Sequence, residues 1–457
     1  MIPAAKATKI SLLDFKTPQM RAFHMTWVSF FLCFVGWFAI APLTNVIAKD
    51  LKLTKDQIAN TIIASVAITI LARLIIGAIC DRFGPRKTYT WLMLIGALPI
   101  MCIGFAHDYT TFLLGRLAIG AIGASFVVTQ FHTTQMFATN CVGAANATAA
   151  GWGNMGAGAT NMLMPLIFGG FVSLGFSEHI GWRLAMIVPG VLMLIAGVAY
   201  WFLTQDCPAG NFDELRARGE NVENAKRAVK GGFWIACKDY RVWVLALVYG
   251  ACFGIEIIIH NSAAKYFEDT YKLDLKTAGL IAGAFGGLAF FARGLGGWIS
   301  DKIAKNFGLQ GRSALLGMLL LGQGISMLLF ATSGALAGSI VGLMCFGVFV
   351  HMAAGGTYAV IPFINKKVLG SVAGIVGAGG NVGAVLAGFL LKVNGLSYTS
   401  AIAYLGGFVI FAALIAFTVR FSEVDEKSAR AEFSAGTAKQ ALANAAAIAT
   451  APFAAGE

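Results

Sequence analysis

Long apolar runs separated by short polar stretches occupy nearly the whole chain, and this alternation predicts its secondary structure. Because an α-helix rises 1.5 Å per residue, about 20 apolar residues are needed to cross the hydrocarbon core of a bilayer. Twelve runs are long enough: 23–47, 58–80, 88–106, 110–131, 145–173, 183–204, 242–263, 277–299, 313–332, 336–361, 370–392 and 399–420. The pattern therefore predicts an all-α polytopic membrane protein with twelve transmembrane helices.

The longest internal polar stretch divides the twelve runs into two sets of six. We expect an N-terminal six-helix half at 23–204 and a C-terminal six-helix half at 242–420, joined by a cytoplasmic linker at 205–241. A cytoplasmic segment, 1–22, precedes them. A cytoplasmic tail, 421–457, follows them; it begins charged and ends alanine-rich, could be helical or disordered, and is assigned no function.

Composition and charge agree with a membrane location. The chain is 58% hydrophobic and 12% charged, whereas about a quarter of the residues of a soluble domain are charged. With both termini in the cytoplasm, about 23 basic residues lie on the inner side and about eight on the outer side, which favours this orientation. We expect a plasma membrane or a bacterial inner membrane, with the first run retained as a span rather than removed as a signal peptide.

Other function classes are disfavoured by the same survey. The net charge of +12 comes from short loops between apolar runs, so it predicts membrane topology rather than a nucleic-acid partner. The eight cysteines are scattered, without a CxxC or His/Cys cluster, so we expect neither a disulfide framework nor a metal site. No nucleophile–base pair or cofactor-binding loop is recognisable, so we expect no cofactor and no enzyme activity.

One charged motif occurs in both halves. The first copy, RLIIGAICDRFGPRK, begins at Arg73, and the second, RGLGGWISDK, begins at Arg293. In each copy an aspartate follows the arginine by eight residues, and a glycine stands four residues before that aspartate. Two related halves with both ends inside are typical of a secondary transporter.

Both arginines are predicted to lie near the bilayer midplane. If Asp81 marks the end of its span, Arg73 lies roughly 12 Å deeper, and Arg293 reaches a similar depth. The alternatives to a binding role are snorkelling to the interface and pairing with a buried carboxylate. The depth is too great for snorkelling, and Glu256 is the one acidic residue predicted well inside a span, so at least one guanidinium lacks a counter-ion and an anionic substrate is indicated.

The shape of the arginine side chain narrows the class of anion. A guanidinium presents a planar fork of donors, so two of them suit a small planar oxyanion held between the halves. Arg116 is a third cation inside an apolar run, near the outer side of the fourth span. For Arg116 a structural or gating role is preferred to direct substrate contact.

Two glycine-rich stretches each contain one asparagine. AAGWGNMGAGAT in the fifth span contains Asn154, and GIVGAGGNVGAV in the eleventh contains Asn381. Glycine destabilises a helix by about 1 kcal/mol relative to alanine, so this density needs a reason. Close helix packing is one explanation. Substrate contact by the two amides, which need partners in lipid, is the other, and both stay open.

The seventh span carries an aromatic and titratable stripe. Its members recur at spacings of four, three and four residues, which places them on one helix face: Tyr249, Phe253, Glu256 and His260. Glu256, with His260 beside it, is a candidate for proton coupling, because a carboxylate in a transporter core is functional by default. The alternative is that Glu256 balances the charge of Arg293 or Arg116.

Several stretches resemble a known family. GAICDRFGPRK at 77–87 resembles the loop signature of the major facilitator superfamily, and the two glycine-rich stretches resemble the nitrate signatures of its nitrate/nitrite porter family. RAFHMTWVSFFLCF at 21–34, TQDCPAGN at 204–211 and DYRVWVLALVYGACFG at 239–254 further resemble the high-affinity nitrate transporter branch. The resemblance covers 21 to about 420 and implies the major facilitator fold, with its two pseudo-symmetric six-helix halves.

What the resemblance implies about function is specific. It implies a carrier of nitrate or nitrite that works by alternating access, with the anion clamped by Arg73 and Arg293 and contacted by Asn154. Aromatic residues that sandwich the anion in the family match Phe126, Tyr249 and Phe253, and Phe34 matches less closely. The gating loop matches Gly77, Asp81, Arg82 and Arg86, with Asp301 in the second half, where the sequence DKIAKNFG departs from the pattern.

The coupling mode stays open. An anion entering an inside-negative cell is opposed by about 2.3 kcal/mol per charge per 100 mV. Uptake of nitrate therefore needs protons, which Glu256 favours, or exchange for internal nitrite. A non-transporting anion sensor is a further alternative, and the sequence neither requires nor excludes an accessory subunit.

Overall fold

The computed structural model describes residues 5–219, 231–273, 275–393 and 395–449. Within these ranges the regular structure is helical, without β-strands, and two isolated bridges join Ala7 to Phe137 and Cys207 to Gly210. Part of the expected linker, 220–230, and the end of the expected tail, 450–457, lie outside the described residues. The limits of linker and tail therefore stay predictions.

The first six spans follow the predicted order. They are Pro18–Phe38, Lys55–Phe83, Pro85–Cys102, Tyr109–Gly120 continued by Ser125–Met136, Val142–Ser173 and Glu178–Leu203. Short helical turns extend the first, third and fourth of them: Ala41–Leu43 with Thr44–Asp50, Ile103–Phe105 and Ala121–Ala124.

The second six spans repeat the arrangement. The seventh is Tyr240–Tyr249, continued by Gly250–Gly254 and Ile255–Tyr271. The eighth and ninth lie in Leu275–Gly287 and Ala289–Thr332, and the last three are Leu336–Val360, Leu369–Leu391 and Tyr398–Ala416, with turns Ile361–Phe363 and Lys366–Val368 between the tenth and eleventh.

Gly308 separates the eighth span from the ninth. Its φ of 66° and ψ of −157° break the helical geometry inside Ala289–Thr332. Eleven continuous runs in the described chain are long and apolar enough to cross a membrane, and one of them, Thr277–Thr332, has 56 residues because it contains both spans. The prediction of an all-α protein with twelve transmembrane helices is confirmed.

Local sequence explains where several spans begin. Thr54 and Gln57 form a reciprocal capping box at the start of the second span, which satisfies amide groups that a helix end leaves without partners. Ser177 and Ser397 cap the sixth and twelfth spans in a similar way.

Two spans are interrupted near their middle. The fourth passes through a 3₁₀ turn at Ala121–Ala124, and the seventh passes through a π-helical turn at Gly250–Gly254. Such interruptions release backbone groups from the regular helical pattern and are frequent at functional sites. The carbonyl oxygens of Gly120 and Gly123 accept hydrogen bonds from the second span, from Thr69 Oγ1 at 2.6 Å and Arg73 Nε at 3.0 Å.

The two halves meet through the arginine-bearing and glycine-rich spans. The second span packs on the eleventh, and the eighth packs on the fifth. A Cβ atom added at Gly77 would lie 2.5 Å from the carbonyl oxygen of Gly370, and one at Gly297 would lie 2.5 Å from that of Gly143. Only glycine permits backbones this close, so both glycines of the repeated motif set the distance between the halves.

The face at which the first span begins and the twelfth ends, called here the linker face, is covered by helices that lie outside the spans. Phe212–Ala217 and Gly232–Cys237 flank the undescribed part of the linker, and Glu423–Ala449 forms a C-terminal helix. The other end of the bundle is called the opposite face.

Candidate functional site

Arg73 lies fully buried in the second span, against both halves. Its Nε donates to the carbonyl oxygen of Gly123, and its Nη1 donates to that of Gly377 in the eleventh span. Nη2 has no hydrogen-bond partner among the described residues. The guanidinium carbon lies 4.9 Å from the ring centre of Phe126 and 5.0 Å from that of Phe253. Backbone dipoles and aromatic faces thus stabilise this cation in place of a carboxylate.

Arg293 lies equally buried in the eighth span but has a carboxylate partner. Its Nη2 donates to Glu256 Oε2, and its Nη1 donates to the hydroxyl oxygen of Tyr358 at 2.7 Å. Its guanidinium carbon lies 6.0 Å from the ring centre of Phe253. The same ring therefore lies within cation–π reach of both arginines.

Glu256, the partner of Arg293, also contacts three other polar side chains. Besides Arg293, it accepts a hydrogen bond from Asn154 Nδ2 at 2.9 Å, and His260 Nε2 lies 3.7 Å from Oε1. His351 Nδ1 lies 3.6 Å from Oε2. The sequence left two roles open for Glu256, proton coupling and charge balance for Arg293 or Arg116. The ion pair with Arg293 gives charge balance a direct geometric basis. Arg116 is not a partner of Glu256 in the described chain.

The aromatic side chains form one continuous cluster. Tyr249 stacks on Phe253 with ring centres 4.9 Å apart and on Phe126 with ring centres 5.1 Å apart. Phe34 contacts Phe253 at 6.5 Å from the side of the first span. The π-helical turn at Gly250–Gly254 lies between Tyr249 and Glu256, so it aims the aromatic and acidic members of the stripe into one space.

The two asparagines differ in their surroundings. Asn154 is bonded to Glu256 through its Nδ2, while its Oδ1 has no partner among the described residues. Asn381 is fully buried, and within the described chain neither its Oδ1 nor its Nδ2 has a partner. Asn381 lies one helical turn from Gly377, whose carbonyl binds Arg73, so the free amide is on the arginine side of its helix.

Sequence reasoning missed two residues of this cluster, both on the tenth span. Tyr358 bonds to Arg293 and lies 2.7 Å from the Tyr249 hydroxyl. His351 Nε2 lies 3.1 Å from the carbonyl oxygen of Phe285. Because a carbonyl oxygen only accepts, the ring proton is assigned to Nε2. The unprotonated Nδ1 then accepts from Arg293 Nη2 at 3.4 Å. Their separation of seven residues, two helical turns on one face, was the signal available in the sequence.

The charges of the cluster do not cancel. Two guanidinium groups and one carboxylate leave a net charge of +1 while His260 and His351 are neutral. Burying an uncompensated charge is unfavourable, so one monovalent anion would balance the cluster. Arg73 Nη2 and Asn381 Nδ2 are the donors without a partner among the described residues. No group of three His, Cys, Asp or Glu side chains suited to a metal ion occurs in the described ranges.

The two motif aspartates each bind the start of a helix in the other half. Asp81 accepts from the backbone amides of Gly370 and Ser371 at 3.0 and 3.1 Å and from Ser371 Oγ at 3.0 Å. Asp301 accepts from the Ala144 amide at 2.7 Å and from Arg312 Nη1 at 2.6 Å. A carboxylate at a helix N-terminus satisfies free amides and opposes the positive end of the helix dipole. These paired contacts close the linker face.

The other two gating-loop residues contact their own half. Arg82 stacks on Phe83, with its guanidinium carbon 5.0 Å from the ring centre. Arg86 donates to the carbonyl oxygen of Trp201 at 2.8 Å, and its backbone amide donates to Asp206 at the same distance. Burial raises the pKa of Asp206, which lies in the loop after the sixth span, to about 6. Arg82 and Arg86 therefore hold the loop rather than the partner half.

Comparison with solved structures bears on the fold. The proton:xylose symporter XylE superposes with a TM-score of 0.66 at 13% identity, covering 87% of this chain and 94% of that one. The human organic anion transporter MFSD10 superposes with a TM-score of 0.62 at 12% identity, covering 88% and 100%. At these identities the likeness shows that the twelve helices are arranged in the same fold.

Sequence comparison bears on the family. Residues 26–387 match the Major Facilitator Superfamily. The chain is 40% identical over 395 residues to High affinity nitrate transporter 2.5 of Arabidopsis thaliana, covering 86% of this chain and 78% of that protein. It is 29% identical over 515 residues to the Nitrate/nitrite transporter NrtP of Picosynechococcus sp., covering 92% and 95%. The chain therefore belongs to the Major Facilitator Superfamily and, within it, to the nitrate/nitrite porter family.

Proposed function

We propose that this protein is a secondary active transporter that carries nitrate, and also nitrite, by alternating access. Arg73 carries the proposal, because it is a fully buried guanidinium without a carboxylate partner in the described chain. Relatives at 36% and 40% identity bear the names of high-affinity nitrate transporters, which supports nitrate as the anion. Both nitrate and nitrite are small planar monoanions that suit the forked donors of arginine.

In this proposal the two arginines hold the anion between the halves. Arg73 Nη2 and the Asn381 amide donate to its oxygen atoms, and Phe126, Tyr249 and Phe253 face its plane. Asn154 positions Glu256, which in turn positions Arg293. The halves then rock about this site, and the contacts of Asp81 and Asp301 with the opposite helix starts hold the linker face closed until the site is loaded.

The protein acts, we propose, in a plasma membrane or a bacterial inner membrane with both termini in the cytoplasm. The lysine and arginine bias of the loops supports this orientation. The linker face is then the cytoplasmic gate, and the opposite face is the side from which nitrate enters.

The proposal is tested by uptake of labelled nitrate into proteoliposomes with an imposed pH gradient, with unlabelled nitrite as competitor. We expect uptake that nitrite inhibits. Nitrate uptake that requires nitrite inside the vesicles and does not depend on the pH gradient would indicate an exchanger. Saturable binding without flux would indicate a sensor and would contradict the proposal.

Glu256 supports proton coupling in the same site. Ionised, it neutralises Arg293, and protonation breaks that ion pair and frees the guanidinium for the anion. Cotransport of one proton per nitrate is electroneutral, and a second proton lets the membrane potential drive uptake. The His260 ring, 3.7 Å from Oε1, lies on the path toward the opposite face.

Replacing Glu256 by glutamine tests this role. Because glutamine cannot ionise, we expect the dependence of nitrate-induced currents on external pH to be lost. Glu268→Gln is the matched control, since it lies about three turns further along the same helix and carries no site contact. Unchanged pH dependence in Glu256→Gln would remove Glu256 from coupling and leave it as a charge partner of Arg293.

A further inference from the structure

Arg116 is a buried cation outside the central cluster. It lies in the fourth span and is 6% exposed. Its Nη1 lies 3.5 Å from the carbonyl oxygen of Trp37, at the upper limit for a hydrogen bond, and its Nε has no partner within the described chain. Arg312 is similarly buried but is paired with Asp301 at 2.6 Å. Arg116 is therefore poorly satisfied for a buried guanidinium.

The position of Arg116 relates it to the central cluster. It precedes Gly123, the residue whose carbonyl binds Arg73, by seven residues of the same span. At 1.5 Å per residue this separation is roughly 10 Å, directed toward the opposite face. An anion that enters from the opposite face therefore meets Arg116 before it meets Arg73.

A small void adjoins Arg116. Its volume is about 10 Å³, room for about one water molecule. Its wall includes Ser65 of the second span and Asn261 of the seventh, so it lies between the two halves. Movement of the halves on opening of the opposite face would widen it.

An aromatic pair separates this void from the centre. Trp37 and Phe38 line the void, with ring centres 5.1 Å apart. On its inner side Trp37 contacts Phe34 at 5.5 Å, and Phe34 contacts Phe253 of the central cluster. Trp37 Nε1 donates to Ser65 Oγ at 3.1 Å, which fixes the ring between the two cations.

We propose that Arg116 forms an outer binding site for a small monovalent oxyanion, occupied before the anion passes the Trp37–Phe38 pair. This site rests on the proposed transport function and refines its entry step. The guanidinium attracts the anion electrostatically into the opened interface, where Asn261 and Ser65 supply polar contacts. Positive charge in a low-dielectric cleft accelerates capture of an oppositely charged ligand, and about tenfold is the lower end of the usual range.

The test is the kinetics of nitrate uptake into proteoliposomes by Arg116→Gln, at low ionic strength and with added potassium gluconate. At low ionic strength we expect kcat/KM to fall about tenfold through KM, with kcat little changed. Added salt should shrink the difference from the unaltered protein, because screening removes the attraction. Arg116→Lys, which keeps the charge, should retain most of kcat/KM.

Lys55→Gln is the matched control. It removes one positive charge from the same face at an exposed position and should leave kcat/KM within about twofold. Equal kcat/KM in Arg116→Gln and the unaltered protein would overturn the proposal. So would a joint fall of kcat and thermal stability in both Arg116 variants without a change in salt dependence, because that pattern indicates a structural arginine.

Different results would contradict the transport function and the outer site at Arg116. If the unaltered protein moves no nitrate, the transport function itself is wrong, and the outer site falls with it. If the unaltered protein moves nitrate while Arg116→Gln behaves identically at every ionic strength, the outer site alone is wrong.

Discussion

At the scale of single residues, the hydrogen bonds of Arg73 determine which substitutions this position of the central site can accept. Its Nε and Nη1 donate to two carbonyl oxygens, on Gly123 and Gly377, and Nη2 has no partner in the part of the chain that the structure describes. A lysine ammonium offers the charge but not three donors in one plane. In the proposed function the fork therefore both anchors the side chain and presents a donor to the anion.

Arg73→Lys tests this geometry. We expect KM for nitrate to rise at least about tenfold, which corresponds to a loss of about 1.4 kcal/mol in binding, while the charge is unchanged. Arg82→Lys is the control, because Arg82 lies on the same helix and, among the described residues, its guanidinium contacts only its own half. A KM for Arg73→Lys equal to that of the unaltered protein would show that charge alone binds the anion.

The sequence revealed part of this residue-scale arrangement. A charge inside an apolar run is visible in the sequence, so Arg73, Arg293 and Glu256 could be identified. The pairing of Glu256 with Arg293 instead of Arg116 could not be decided, because it depends on how spans seven and eight are rotated. The spacing of Tyr358 from His351 places both on one helix face, but the partners of Tyr358, Arg293 and Tyr249, depend on how the helices pack.

At the scale of elements, the backbone contact of Gly77 with Gly370 fixes the approach of spans two and eleven. A methyl group at Gly77 would lie 2.5 Å from the Gly370 carbonyl oxygen, so the two backbones must move apart. Gly297 repeats the contact against Gly143 in the other pair of spans. The Asp81 and Asp301 contacts depend on the same spacing.

Gly77→Ala is expected to destabilise the closed linker face by about 1–3 kcal/mol, as overpacking does in other close contacts. A lower thermal midpoint and slower nitrate uptake are the measurements. Gly283→Ala in the eighth span provides the comparison, since nothing lies within 4 Å of its added Cβ. There the greater helix propensity of alanine should leave stability equal or slightly higher. Equal losses in both variants would contradict the steric explanation.

The span pattern was predictable because hydrophobic length is a property of consecutive residues. The interruptions at Ala121–Ala124 and Gly250–Gly254 were not predicted. Each is stabilised by contacts with another span, such as the Thr69 hydroxyl on the Gly120 carbonyl oxygen. The periodicity of apolar residues along one span does not show which residues of another span will contact it.

At the scale of the whole molecule, the C-terminal helix Glu423–Ala449 joins the two halves across the linker face. Glu432 accepts from Lys366 of the C-terminal half at 2.5 and 2.6 Å and from Thr139 of the N-terminal half at 2.9 Å. Glu426 accepts from the amides of Leu309 and Gln310 at 3.0 and 2.8 Å, beside the break at Gly308. The sequence suggested no such docking, because it comes from tertiary contacts.

This docking should depend on pH. Partial burial acts to raise the pKa of Glu432, but the hydrogen bond and charge of Lys366 outweigh it and hold the pKa below the ordinary value of 4.5. A lowered folded-state pKa means that the contribution is fully present above pH 4.5 and is lost as pH falls through the folded value.

Hydrogen exchange of residues 423–438 measures the docking. We expect slow exchange at neutral pH and, after correction for intrinsic rates, faster exchange below the folded pKa of Glu432. Glu432→Gln should exchange faster already at neutral pH, whereas Glu423→Gln, whose side chain is 92% exposed, should not. Protection in Glu432→Gln equal to that of the unaltered protein would contradict a bridging role.

The wide turn at Gly250–Gly254 has a consequence for chain length. Because a π-helical turn holds one residue more than an α-helical turn, removing one residue from it would leave a regular α-helix, with the phase of Ile255–Tyr271 nearly unchanged. Glu256 would then still face Arg293. The same deletion in a regular α-helical turn of this span would rotate everything beyond it by about 100° and would separate the pair.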